Sequence, residues 1–443
     1  MIHKGILLLF LGMTMLSCEE VNPNFQEEAK NPEYIHRSVK QLTDVIVHDI
    51  FSPPVASRIY AYPSIAAYEV MIHDHEDYQS LVGQLTELNE VPAPEPDQEY
   101  CFPLAAVHAY LTMGKALIFS EDTIAAFQQQ IYQEFKDLKM PKEVYDRSMA
   151  YGQAVADHIK AWSNEDNYKE TRTSPKYTID PDNKARWQPT PPDYMDGIEP
   201  HWKLIRPFVL DSANQFVPPP PTAFNLDPES QFYTETMEVY TAMEASDKED
   251  RLEIAKFWDC NPYVSHHIGH VMYATKKITP GGHWIGIASI AAKKADADFM
   301  KTVQTYTLTS IALADAFISC WDEKYRSNLT RPETVINQFI DEEWKPILQT
   351  PPFPEYTSGH SVISRAAATV LTSIYGDNFH FKDNTEEEYG LTVREFDSFY
   401  AASEEAAVSR LYGGIHYRPA IDNGVAQGQK VGDFVVANVE MKK

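Results

Sequence analysis

Across 443 residues there is no internal apolar run long enough to span a bilayer, so the body of the chain is not a set of membrane-crossing helices. Strand-type alternation is nearly missing, which argues against any large sheet. Cysteine is scarce, with four residues and no Cys-x-x-Cys spacing, and Cys101, Cys260 and Cys320 are expected as buried, inert thiols. Basic residues are outnumbered, 38 against 64 acidic ones, for a formal net charge of -26. That balance argues against nucleic acid and anionic membrane surfaces as partners. No short-period repeat is visible.

What remains is helical patterning. Apolar residues recur at mixed spacings of three and four over 36–52, 63–82, 103–118, 121–136, 142–163, 230–243, 247–275, 295–326, 333–343, 360–375, 392–411 and 419–438. The expected fold class is all-α, with two packed helical bundles. Pro-rich joints at 92–96, 189–192, 218–221 and 350–354 separate the blocks. Residues 164–229 are irregular and too long for a plain connection, so they are expected to wrap the bundle or form the mouth of a site. The expected division is an N-terminal helical region with its wrap over 36–229 and a C-terminal bundle over 230–443.

The first 18 residues read as an export signal: a basic start at Lys4, the apolar run 5–16, then Ser17 and Cys18. The Ser-Cys ending also reads as a lipoprotein signal, with Cys18 lipidated and 19–35 a tether. The expected location is the periplasm or the outer membrane and cell surface, with membrane contact only through that anchor.

Against the acidic background, three basic clusters crowd the last third: WDEKYRSNLTRP (321–332), FPEYTSGHS (353–361) and SRLYGGIH (409–416). Lys324 continues the apolar stripe Ile311, Ala314, Ile318, Trp321, so it needs an anion or must snorkel at the helix end. Ser358, Gly359 and His360 stand at a helix start, where free N–H groups and the positive dipole end favour an anion. Ser358 is equally an N-cap there. Arg410 continues the stripe Phe396, Phe399, Ser403, Ala406 of a helix opened by Thr392 and Glu395, and Gly413-Gly414 deliver His416. Together these residues are what a tetrahedral oxyanion requires.

The order Lys-x6-Arg-Pro, Ser-Gly-His, Ser-Arg-x5-His resembles the type 2 phosphatidic acid phosphatase superfamily, which includes class A acid phosphatases and vanadium-dependent haloperoxidases. Trp321 and Phe353 look like the pocket aromatics of the haloperoxidases. The segments 186–194, 199–208, 256–262 and 281–288 are similar to the upstream region of bacterial haloperoxidases, with most likeness to the iodoperoxidases of marine Bacteroidetes. The Pro usual before Ser-Gly-His in phosphatases is replaced by Tyr356-Thr357.

The resemblance implies vanadate as cofactor, held by Lys324, Arg331, Ser358, Gly359 and Arg410. His416 Nε2 would be the axial ligand and His360 the acid–base group. It implies hydrogen peroxide and a halide, iodide foremost, as substrates, and an electron-rich organic acceptor. Tyr263 and His283 are further pocket candidates. Asp259 and Asp315 are candidate partners for Arg410 or Lys324. The acceptor for the second ring nitrogen of His416 is not legible. A vanadate-inhibitable phosphatase, with His416 as nucleophile and His360 as acid, uses the same residues. His266 and His270, four apart in the expected helix 247–275, share a face with metal-ligand spacing, but the trio with His267 also reads as a packed or exposed cluster.

Overall fold

A computed structural model describes residues 21–268 and 270–443. The export signal and Cys18 lie outside the described residues. Fifteen α-helices are found among them. The first part of the chain carries α1 (Phe25–Ala29), α2 (Glu33–His48), α3 (Pro53–Met71), α4 (Phe102–Lys115), α5 (Glu121–Asp137), α6 (Lys142–Ser163) and α7 (Tyr168–Thr173). Then follow α8 (Gln231–Thr241), α9 (Lys248–Phe257), α10 (Pro280–Lys294), α11 (Phe299–Ser327), α12 (Pro332–Phe339), α13 (Gly359–Tyr375), α14 (Phe399–Tyr412) and α15 (Arg418–Asn438). Two small antiparallel hairpins complete the set: β1 (Val264–Ile268) with β2 (Val271–Thr275), and β3 (Phe381–Asp383) with β4 (Arg394–Phe396).

Helices α2 to α6 pack into one bundle, and α10, α11, α13, α14 and α15 into a second. They meet where α3 lies along α11, and one hydrophobic core runs through both. Helix α11 has 29 residues, about 43 Å of helix. It is buried along nearly its whole length, and buried polar residues such as Thr307 and Asp315 are satisfied by hydrogen bonds to backbone. Asp298 caps its start by accepting the Lys301 N–H, and Asn328 ends it in the left-handed region at φ 51°.

Helices α13 and α15 approach closely through a ridge of small residues, Gly424, Gly428 and Gly432, one turn apart. A Cβ on Gly428 would stand 2.2 Å from the Val362 carbonyl oxygen. This seam fixes the start of α13, where the Ser358 N–H donates to the Ala420 carbonyl at 2.9 Å.

The irregular stretch 164–229 is a strap bound to the second bundle. Trp187 N–H donates to Asn328 O at 3.0 Å, Thr330 N–H to Ala185 O at 2.9 Å, and Ile198 N–H to Pro352 O at 2.9 Å. Asp315 in α11 accepts the backbone N–H groups of Phe208, Val209 and Leu210 at 2.7, 2.8 and 3.0 Å.

Several boundaries differ from the sequence expectation. The helix expected over 247–275 stops at Phe257, because Asn261-Pro262 breaks it and the following residues pair as β1 and β2. Helix α14 starts at Phe399, capped by Ser398 on the Ala401 N–H, not at Thr392. Glu395 is no capping-box partner; it sits in β4 opposite Lys382. Helix α3 starts at Pro53, whose ring suits the first turn, and continues through Pro63. Part of the span expected as a tether forms α1, with Phe25 and Ala29 buried.

Candidate active site

The three clusters deliver their side chains from element ends to one place. Lys324, in the last turn of α11, is carried inward by the apolar stripe and is fully buried. Its Nζ donates to the carbonyls of Pro354, Glu355 and Thr357 at 3.1, 3.2 and 2.5 Å. It lies 5.0 Å from the centre of the Phe353 ring and 5.7 Å from Trp321. Burial lowers its pKa to about 8.

Arg331 precedes α12 and is also fully buried. Its Nε donates to Phe353 O at 2.9 Å, and its Nη1 donates to Ile415 O at 2.8 Å and to His416 Nε2 at 3.1 Å. Its Nη2 is buried without a partner. Arg410, near the end of α14, donates from Nε to Ser409 Oγ at 2.8 Å and from Nη2 to Trp258 O at 2.6 Å. Burial lowers both guanidinium pKa values to about 10.

The Ser358 side chain does cap α13, accepting the Ser361 N–H at 3.3 Å. Gly359 is the first helical residue, and a Cβ there would meet nothing nearer than Trp321 at 3.8 Å and Lys324 at 4.0 Å. A side-chain carbon there would sit in ordinary van der Waals contact. His360 is half-buried, hydrogen-bonded to the Trp258 backbone, with a buried and unpartnered Nε2. Burial, then Arg410, holds its pKa well below the usual histidine value.

His416 follows the turn at Gly414, whose φ of 78° suits glycine. Its Nδ1 lies 2.9 Å from Glu355 Oε1, which also accepts the Tyr417 N–H at 2.9 Å. With Nδ1 as donor, Nε2 keeps its lone pair and accepts from Arg331. Burial and then Arg331 push the His416 pKa well down, so the ring is neutral. Burial raises Glu355 to about 7.

A cavity of about 170 Å³ opens onto this group, lined by Trp321, Phe353, Gly359, His360, Arg410 and His416 under an apolar rim that includes Met195, Ile198 and Tyr263. Lys324, Arg331 and Ser358 stand immediately behind Gly359 and His416. Among the described residues none of the three buried cations is hydrogen-bonded to a carboxylate. The pocket is short of negative charge beside its three cations, with Asp259 paired to Lys277, and has two orphaned nitrogens, Arg331 Nη2 and His360 Nε2. An oxyanion such as vanadate or phosphate fits that donor set.

The strap reaches this mouth through Met195 and Ile198, as the sequence led one to expect. Five sequence candidates behave differently. His283 does not line the cavity; it is fully buried behind Trp258, stacked at 4.6 Å. Asp315 pairs with neither Lys324 nor Arg410, because its oxygens are taken up by the strap. Asp259 lines the cavity and bears electrostatically on Arg410, but its ion pair is with Lys277 at 2.8 Å. His266 lies in a strand with His270 in the turn beyond it, so they share no helical face, and His266 meets Thr275 Oγ1 at 2.9 Å. Glu355 was the residue missed. It stands three residues before Ser358, and a carboxylate inside an otherwise cationic cluster was the available signal.

The family model described as the VCPO second helical-bundle domain matches residues 337–442. No curated protein matches the chain. Among solved structures, the crystal structure of the first bacterial vanadium-dependent iodoperoxidase is similar, with 55% identity over 93% of this chain and 97% of that one, at a TM-score of 0.88. Holo and apo forms of a bacterial vanadium-dependent chloroperoxidase share the fold at 15% identity. Their TM-scores are 0.65 and 0.64, over 95% and 87% of this chain and 96% and 94% of theirs. With over half its residues shared with the iodoperoxidase across nearly the full length, and its three clusters folded around one cationic cavity, the chain belongs to the vanadium-dependent haloperoxidase family.

Proposed function

We propose that this chain is an iodide peroxidase, oxidising iodide with hydrogen peroxide to a hypoiodous-acid-type species that iodinates electron-rich organic acceptors. Vanadate, when bound, supplies Lewis acidity that activates peroxide toward the halide without a change in its own oxidation state. His416 Nε2 is the proposed ligand, because Nδ1 spends its proton on Glu355 and leaves a neutral lone pair. Lys324, Arg331, Arg410, Ser358 and the Gly359 N–H are assigned to the oxygens, where charge-assisted hydrogen bonds offset the cost of burying three cations. His360 is assigned proton transfer. Its lowered pKa keeps it neutral, with Nε2 free to accept a proton and return it. Trp321 and Phe353 exclude water and stack against the cations, and are the proposed determinants of halide choice. Iodide is assigned on the 55% identical iodoperoxidase, and it needs the least peroxide activation of the common halides.

The observation that carries this reading is the meeting of His416 Nε2 with Arg331 Nη1 at 3.1 Å, beside the unpartnered Arg331 Nη2. A metal-seeking lone pair and an anion-seeking guanidinium converge on one spot. The test is dialysis against EDTA, addition of orthovanadate, and assay with peroxide and iodide, bromide or chloride. Vanadate-restored iodide oxidation is expected. A phosphatase activity inhibited by vanadate, with no peroxidase appearing, would instead support the phosphoryl-transfer use of the same residues.

Export and lipidation at Cys18 are also proposed, on the basic start and the short apolar run that precede Ser17-Cys18. Labelled palmitate incorporated by the native sequence and lost in Cys18→Ala would support them; unlabelled, unprocessed protein would not.

A further inference from the structure

Packed against Trp258, with Cys260 alone reaching the cavity wall, lies a second cluster that the oxyanion chemistry does not use. Cys260, His283, Asp383 and Glu386 are all buried there. Cys260 Sγ is 3.3 Å from His283 Nδ1 and 3.7 Å from Glu386 Oε1, and His283 Nδ1 is 3.0 Å from that same oxygen. We propose that Cys260, His283 and Glu386 form a buried site for a divalent ion of the zinc type.

Three observations support it. The triangle is close to the size needed: bonds of about 2.3 Å to sulfur and 2.0–2.2 Å to nitrogen and oxygen place tetrahedral ligand atoms roughly 3.3–3.6 Å apart, against 3.3, 3.7 and 3.0 Å here, so the nitrogen–oxygen edge opens by a few tenths of an ångström when the ion enters. The other face of His283 is prepared as metal-bound histidines usually are, with Nε2 lying 2.7 Å from Asp383 Oδ2 and Nδ1 left for the ion. Glu386 Oε2 is buried with no hydrogen-bond partner, so no protein donor competes with an ion for this carboxylate. The donor set is also wrong for an oxyanion: the Glu386 carboxylate, with Asp383 beside it, repels vanadate, while thiol, imidazole and carboxylate together suit a soft-to-borderline cation. Binding displaces the thiol proton and any proton held between His283 Nδ1 and Glu386. The ion would tie the loop after β3 to the start of α10 and to the 258–260 segment. That segment presents the Trp258 carbonyl to Arg410.

The test uses the full chain expressed with zinc in the medium, desalted, and analysed by plasma mass spectrometry. A parallel batch is grown with cobalt. One zinc per chain is expected in the wild type, falling about tenfold in Cys260→Ser and Glu386→Gln. A near-ultraviolet thiolate-to-cobalt band is expected in the cobalt protein and absent in Cys260→Ser. Wild-type protein without zinc or the cobalt band overturns the proposal, leaving His283 as an imidazolium between two carboxylates. Zinc retained undiminished in both variants overturns it too. If a variant does not fold, the wild-type zinc content and cobalt spectrum decide alone. Vanadate-dependent iodide oxidation by wild type that was purified without chelator from the zinc-supplemented medium and carries no zinc would sink this site while leaving the proposed function standing.

Discussion

His416 Nδ1 lies 2.9 Å from Glu355 Oε1, and that one oxygen also takes the neighbouring Tyr417 N–H. The carboxylate thus fixes both the tautomer of the ring and the backbone that carries it. Glu355→Ala is expected to weaken vanadate binding by roughly 10- to 100-fold, the usual cost of losing such a support. Glu355→Gln keeps an accepting oxygen and should recover part of the loss. Vanadate titration of the metal-free protein measures both. Equal affinity in Glu355→Ala and wild type would remove the carboxylate from the mechanism.

Lys324 has a pKa lowered from 10.5 to about 8 by burial. Its charge therefore opposes folding below about pH 8, by on the order of 3 kcal/mol, and that cost fades as pH rises toward 10.5. Anion binding runs the other way, since it needs the protonated amine. Vanadate affinity is expected to fall by about tenfold per pH unit above pH 8. It should also weaken below about pH 7, where Glu355 takes up a proton. Lys324→Arg, measured in the same buffers, should lose the alkaline decline. A decline of the same slope in that variant would show that vanadate's own ionisation, not Lys324, is responsible.

His360 Nε2 is buried and unpartnered, whereas His416 is held on both sides. His360→Ala is therefore expected to lower kcat for iodide by about 100-fold or more, the range of a lost proton-transfer group, with less effect on vanadate affinity. Steady-state kinetics at saturating vanadate separate the two. A variant whose kcat is unchanged while vanadate binding collapses would reverse the assignment.

Asp315 holds the strap through three backbone N–H groups. Asp315→Asn offers an amide NH₂ where only an acceptor fits, and should cost about 1–3 kcal/mol. Calorimetry should show a lower Tm, with vanadium bound per folded chain unchanged. An unaltered Tm would mean the strap is held by its other contacts.

The site was legible because its chemistry is local in sequence. Each cluster packs its charged groups within a dozen residues of a helix end, and the stripe leading to Lys324 states which way that end points. Arg410 was placed correctly even though the start of its helix was not, because the Phe399-to-Arg410 stripe survives the change of cap from Thr392 to Ser398. The 247–275 segment failed for a physical reason. Its β1 and β2 residues carry apolar groups at spacings that also suit a helix, and only pairing with each other decides the matter. Asp315 and His283 were misplaced because burial says that a polar group needs a partner, not which distant segment supplies it. Glu355 went unread because its partner lies 61 positions away.

The most direct test of the assigned coordination is vanadium bound per chain, measured by plasma mass spectrometry after loading and desalting, in wild type and His416→Ala. Wild type should retain one vanadium per chain and His416→Ala essentially none, with iodide turnover lost in parallel. Full vanadium retention and normal iodide oxidation in His416→Ala would contradict it.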